Sequence, residues 1–335
     1  MNMIISIIIA LIVFGILVLF HEFGHFIVAK KSGVKIHEFA IGMGPKIYSY
    51  KGYETEYSLR VLPIGGYVRM EGEDEESSDP RSFNNKNIFQ KISIVFAGPL
   101  MNFMLAILLF TIMFMYKGVP GTIIENTIDN LPAQQAGIKE GDKILKINNS
   151  SIKNWYDIRK TISSSTTDTI KIHVKRDGDV LEYNITPKYD DGKKMIGIEP
   201  RYEKNIVSSF KYAVKQTFSI LGQMIDFLGK AIKGNVSKDE VAGPVGIINV
   251  VGKAADAGVV NVIFLAAVIS INLGLFNLLP VPALDGGRIV FLLIELIRGK
   301  KMDPEKEGSI HFIGFVALML LMVFTIYNDV SRIIK

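Results

Sequence analysis

The chain has 335 residues, 49% hydrophobic and 21% charged, and its mean hydropathy of +0.29 is too high for an ordinary soluble protein. Its net charge of +5 arises from 38 basic and 33 acidic residues scattered along the sequence, which argues against a nucleic-acid-binding surface. With no cysteine at all, disulfides, thiolate metal ligands and a cysteine nucleophile are excluded together.

Four stretches lack Asp, Glu, Lys and Arg: Met1 to Phe20, Ile92 to Tyr116, Ala257 to Leu284 and Gly308 to Asn328. Each meets the requirement of about 20 apolar residues for a membrane span. The expected fold class is a polytopic α-helical membrane protein with four transmembrane helices, over 3–29, 92–116, 258–298 and 308–328. The first run has no basic residue before it and no small-residue cleavage site after it, so it reads as a retained span rather than a secretory signal. Ten Lys and Arg fall between Lys30 and Lys91 and four between Arg298 and Lys306. That bias sets both segments on the cytoplasmic side, with the two termini and Lys117 to Asp256 outside.

The first span runs into His21-Glu22-Phe23-Gly24-His25. On a helix, His21 and His25 are i and i+4, so both imidazoles reach one metal ion, while the adjacent Glu22 carboxylate is free to take a proton from water at that metal. Chance alone would produce roughly 0.004 HExxH matches in a chain with this composition. Counting back from Lys30, His21 lies roughly 13 Å inside the cytoplasmic end of the helix, a depth at which a Glu and two His are costly unless used.

Within 35–90, Lys46 to Tyr50, a Lys51-Gly52 turn and Glu54 to Leu62 alternate as a hairpin closed by Pro63-Ile64-Gly65-Gly66-Tyr67-Val68. Glu71 to Pro80 reads as a solvated acidic loop with no chemistry of its own. Ala97 and Gly98 at the start of the second span suit close helix packing, and Asn102 follows them. Over 118–200, Thr169 to Lys175 and Val180 to Ile185 alternate about an Asp177-Gly178 turn, and Leu131 to Asn148 reads as a short helix, a turn and a strand. This run resembles a PDZ domain, which would take a peptide at a sheet edge; a β domain without a ligand groove is the other reading. The 205–256 segment carries apolar residues at helical spacing, interrupted by Lys211, Lys215, Asp226 and Lys230, and is expected as amphipathic helix on the outer membrane surface or on the bundle.

A zinc site of the His21–His25 kind wants a third protein ligand and an open position. Asp285 is the only acid between Asp256 and Glu295. It follows Asn277-Leu278-Leu279-Pro280-Val281-Pro282-Ala283-Leu284, in which two prolines forbid an unbroken helix, so the backbone should unwind and aim Asp285 at the depth of His21. A plain helix N-cap is the alternative for Asp285. His37, His173 and His311 have no partner motif and read as structural or exposed.

Together, His21-Glu22-Phe23-Gly24-His25 and Asn277 through Gly286 resemble the paired HExxH and NxxPxPxLDG motifs of the site-2 protease family. Four spans, one outer PDZ-like segment and the Pro63 to Val68 hairpin make the chain similar to the bacterial RseP-type branch of these intramembrane metalloproteases. Some members carry tandem PDZ domains, whereas the Gly137 to Asp142 pattern occurs once here. The resemblance implies His21, His25 and Asp285 as Zn2+ ligands and Glu22 as the catalytic acid/base. It implies substrate contacts from Asn277, Pro280, Pro282, Gly65, Gly66 and Asn102, and a hairpin that dips toward the membrane. The expected activity is zinc-dependent cleavage of single-span membrane proteins in a bacterial cell membrane, with the active site toward the cytoplasmic side. Membrane-held anti-sigma factors and remnant signal peptides are the substrates the resemblance suggests, with a peptide or protein ligand on the PDZ-like domain. Two other classes compete: a membrane scaffold with a structural metal, and a metal transporter, for which inverted repeats would be expected.

Overall fold

The computed structural model describes residues 3–73, 77–190, 193–235, 243–300 and 302–334. The chain divides into two compact units, one of residues 1–110 and 213–335, the other of residues 111–212.

The first unit begins with α1 (Met3–Lys31), in which Ser6, Ala10, Val13, Leu17, His21 and Gly24 are buried. These recur every three or four residues, as one face of a helix must, while Ile4, Ile8, Ile12 and Ile16 stay exposed. An apolar outer face is what lipid, rather than water, would cover.

Next come β1 (Ile36–Lys51) and β2 (Glu56–Met70), both longer than the alternation alone suggested. Glycines with positive φ let the strands bend: Gly42 (87°) and Gly44 (85°) in β1, Gly65 (85°) in β2. As a result the first half of β1 is paired on both sides. It runs antiparallel to residues 66–70, with Phe39 opposite Val68, while its partners from Glu38–Glu56 to Ile41–Leu59 rise together, a parallel register. Residues 46–51 close the other side antiparallel to 56–60. In space the rows are 46–51, 56–62, 36–43 and 66–70, and the last is an edge. The expected hairpin of 46–50 with 54–62 is thus one part of a four-row sheet, with its turn at 52–55, where the Gly52 N–H donates to the Thr55 carbonyl (3.0 Å). The acidic loop beyond is also more engaged than its charge implied: His37 Nε2 lies 2.6 Å from Glu71 Oε2, and Glu73 pairs with Arg288. Part of that run, residues 74–76, lies outside the described residues.

α2 (Ile88–Lys117) crosses α1 at Gly24, where an added Cβ would meet the Ala97 carbonyl oxygen at 2.2 Å. Only a residue without a side chain allows so close a crossing.

The second unit is β-rich. It contains β3 (Val119–Thr127), α3 (Pro132–Gln135), β4 (Lys143–Ile147), β5 (Ser150–Ser151), α4 (Trp155–Ser164), β6 (Ile170–Arg176), β7 (Asp179–Ile185), β8 (Lys188–Asp190), β9 (Lys193–Met195) and β10 (Ile198–Glu203). The main sheet runs β10-β3-β4-β6-β7, with β5 beside β4, and β8 pairs β9 separately. Ile170, Ile172 and Val174 alternate inward from β6 onto Ile124, Ile144, Ile147, Ile158 and Ile185. Asp177 (φ 51°) and Gly178 (φ 104°) turn β6 into β7, the two positive φ values of a tight hairpin. A buried Asp142 receives the Arg176 Nε and Nη2 hydrogen bonds, both at 2.7 Å.

The chain continues with α5 (Ile206–Ile232), α6 (Pro244–Asp256), α7 (Val259–Asn277), α8 (Asp285–Arg298) and α9 (Pro304–Ile334). The amphipathic segment is therefore two helices, with 236–242 outside the described residues. α6 packs on α1, since a Cβ on Gly252 would reach Ser6 Oγ at 2.6 Å. α7 packs on α2, where Gly274 faces the Pro99 carbonyl and the Phe103 ring. Val13, Leu17, Leu105 and Ala266 form the core of α1, α2 and α7. Among the described residues, α1, α2, α7 and α9 are long and apolar enough to cross a membrane.

Candidate metal centre and active-site cleft

The buried stripe of α1 carries His21 into the interior, 8% exposed, and His25 follows one turn later. Their Nε2 atoms are 3.2 Å apart. Asp285, the first residue of α8, brings Oδ2 to 3.1 Å from His21 Nε2 and 3.6 Å from His25 Nε2. For ligand atoms about 2.0–2.1 Å from a tetrahedral centre, corners lie about 3.3 Å apart, so these three spacings fit one zinc ion. Asp285 Oδ2 is buried with no hydrogen-bond partner among the described residues, and with the two Nε2 atoms it faces one shared point. Gly98 of α2 keeps that point open, because a Cβ there would lie 2.3 Å from His25 Nε2 and 2.9 Å from His21 Cε1.

The opposite ring nitrogens are held as ligation requires. His25 Nδ1 donates to the Ile94 carbonyl at 2.9 Å, which leaves the Nε2 lone pair available. His21 Nδ1 faces the Asn102 amide at 3.0 Å. Asn102 Oδ1 is buried without a partner among the described residues, and turning the amide by 180° lets it accept the Nδ1 proton. Asn102 is itself 0% exposed. It holds His21 from beneath and is not among the residues that line the cleft.

The Asp285 end is built by tight backbone contacts. Leu278 to Pro282 wrap over the start of α8, so that a Cβ on Gly286 would lie 2.3 Å from the Leu279 carbonyl oxygen and one on Gly287 2.3 Å from that of Val281. Two glycines after Asp285 are the condition for this wrap. Ala283 adopts φ 74°, a left-handed conformation that a non-glycine residue takes only when its surroundings enforce it.

A cleft of about 420 Å³ opens over His21, His25 and Asp285, lined also by Glu22, by Tyr67, Val68, Arg69 and Met70 of the edge row, by Ile94 and Val95, and by Glu73 and Arg288. The edge row passes directly over α1: a Cβ on Gly66 would meet Glu22 Cγ at 3.2 Å. Gly65, Gly66, Asn277, Pro280 and Pro282 are absent from the lining, and the row's contact with the cleft begins at Tyr67. Sequence reading gave Glu73 and Arg288 no part in the site and read Gly98 only as a small residue for helix packing. Arg288 lies one helical turn after Asp285 and offered a periodicity signal; Glu73 offered none.

A peptidase family M50 profile matches residues 9–321. A Clostridium acetobutylicum protein is 44% identical over 329 residues, 97% of each chain. Zinc metalloprotease RasP of Bacillus licheniformis is 34% identical over 410 residues, covering 96% of this chain and 98% of the relative. Regulator of sigma-W protease RasP of Bacillus subtilis is 34% identical over 411 residues, covering 96% and 97%. Among solved structures, the PDZ domain of the SdrC-like protein of Listeria monocytogenes covers 24% of this chain and 85% of its own, at 24% identity and a TM-score of 0.22. The HExxH helix, the aspartate that meets it and the nearly full-length match to these relatives converge: the chain belongs to peptidase family M50, the site-2 proteases, and is a zinc metalloprotease.

Proposed function

We propose that the chain is an intramembrane endopeptidase that cuts single-span membrane proteins, with zinc held by His21, His25 and Asp285. The carrying observation is the convergence of those three ligand atoms, within 4.8 Å of one another, in a cleft shared with Glu22 and a sheet edge. Zinc, when bound, supplies Lewis-acid polarisation of the scissile carbonyl and makes water more acidic. Glu22 takes the proton of the attacking water and hands it to the leaving amine. A helical substrate hides its carbonyls in internal hydrogen bonds, and pairing with residues 66–70 holds it extended across the cleft.

In this reading the hairpin sheet and the start of α8 are on the cytoplasmic side, and the termini and residues 118–200 are outside, as the distribution of Lys and Arg argues. The outer unit takes a peptide at a sheet edge in the manner of a PDZ domain. Membrane-held anti-sigma factors, the class to which the sigma-W name of the Bacillus subtilis relative points, and leftover signal peptides are the proposed substrates.

The test is cleavage of a labelled single-span substrate by the purified protein in detergent, beside Glu22→Gln, with zinc measured in both. Wild type cleaves, and Glu22→Gln keeps its zinc while losing at least about a hundredfold in rate, the scale of a general base. A scaffold with a structural metal predicts a silent Glu22→Gln, and equal cleavage by the two proteins would sink the mechanism.

A further inference from the structure

α9 has few buried residues along its length, yet it touches the unwound loop before Asp285 at two neighbouring positions. His311 Nδ1 accepts the Ala283 backbone N–H at 2.8 Å. Three residues on, Gly314 lies so close to Pro282 that an added Cβ would sit 2.4 Å from its carbonyl oxygen. The His311 ring also meets Phe291 of α8 edge-on, with centroids 5.2 Å apart. α9 therefore grips the chain on both sides of Asp285, before it at Pro282–Ala283 and after it at Phe291.

The two ring nitrogens of His311 have different partners. Nδ1 must present a lone pair to Ala283, which leaves the proton on Nε2, 3.9 Å from Glu307 one turn earlier. The Ala283 N–H belongs to a residue at φ 74° that is exposed at the surface of the first unit, beside the apolar α9; where lipid covers that surface an unmet backbone donor is costly, and the left-handed conformation costs about 1–3 kcal/mol. Both costs are met by the α9 contact, and no regular helix hydrogen bond replaces it.

We infer that His311 is a positioning residue for the metal centre: through Ala283 it fixes the turn that aims Asp285 Oδ2 at His21 and His25. The inference rests on the proposed zinc ligation by Asp285. It makes α9 a working part of the centre and separates the roles of the two His311 nitrogens.

Asparagine and glutamine distinguish those roles. The side-chain oxygen of Asn can occupy the position of Nδ1, whereas that of Gln falls near Nε2. The full-length protein, loaded with zinc in detergent, is challenged with a chelator, and the rate of zinc loss is followed for wild type, His311→Asn, His311→Gln, His311→Ala and Asp285→Ala. His311→Ala and His311→Gln should lose zinc about tenfold faster or more, the scale of losing a group that orients a ligand; His311→Asn should stay within about threefold of wild type. On a single-span substrate the first two should lose kcat with KM little changed. A Gly314→Ala protein, with His311 intact and Pro282 displaced, should lose zinc faster as well. Equal rates in the Asn and Ala variants, at any level, would overturn the inference. Full zinc retention by Asp285→Ala would instead overturn the ligand assignment beneath it.

Discussion

Glu38 is 3% exposed at the centre of the four-row sheet. Burial alone would raise its pKa, but hydrogen bonds from Ser58 Oγ (2.6 Å), Arg60 Nη2 (2.7 Å) and Tyr67 OH (2.8 Å) favour the carboxylate. The charge of Arg60 adds to them, and the result is a carboxyl held at about 2, below its ordinary 4.5. Since the folded value is the lower one, the stabilisation is present above about 4.5 and is lost as pH falls toward 2. Tyr67 is the first edge residue of the cleft, so Glu38 ties the cleft-lining row to the two rows behind it. Glu38→Gln should cost about 1–3 kcal/mol near neutral pH, because a charged, hydrogen-bonded group becomes a neutral one among the same donors. It should also flatten the dependence of unfolding on pH between 4.5 and 2. Denaturant melts of both proteins at several pH values check this, and parallel pH profiles would refute the assignment.

At the scale of elements, the sheet edge and the start of α8 face each other across the cleft. Arg288 binds Glu73 through Nη1, donates from Nη2 to the Glu73 carbonyl at 3.1 Å and rests over the Phe83 ring at 5.0 Å. This secures the chain leaving β2 to the helix that carries Asp285, so the edge row and the proposed ligand keep a common frame. Along that row, successive N–H groups point alternately toward β1 and away from it. A proline scan over Tyr67, Val68 and Arg69 should therefore separate two classes. Where the lost N–H points outward, cleavage should fall at least about tenfold with zinc and fold retained; where it points inward, the protein should also lose stability. Unchanged cleavage at all three positions, in folded protein, would refute strand pairing by the substrate.

For the whole molecule, a chain without cysteine makes the proposed orientation directly measurable, since any introduced thiol reports only on itself. Tyr53 in the 52–55 turn and Val180 in β7 are both well exposed. In intact cells an impermeant thiol reagent should label Val180→Cys and spare Tyr53→Cys until the membrane is opened. Labelling of both, or the reverse pattern, would overturn the topology. The residues proposed to hold the metal all belong to one of the two compact units.

What the sequence determined by itself is what short-range rules govern. Uninterrupted apolar runs mark helices suited to lipid, and the i,i+4 spacing sets His21 and His25 on one helical face. Two prolines forbid helix before Asp285, and Asp177-Gly178 makes a turn. Each depends on residues within a turn or two of one another, where backbone sterics and solvent decide. Only tertiary structure decided the rest. Asp285 meets His21 across 264 positions because helices pack side by side. Asn102 lies under His21 because α2 crosses α1 at a bare glycine. The hairpin becomes a four-row sheet because three glycines at positive φ let two strands bend and pair twice. His311 had no motif to announce it: its partner is a backbone N–H exposed by an unwound loop on another element, and backbone groups freed in this way leave no pattern in the side chains.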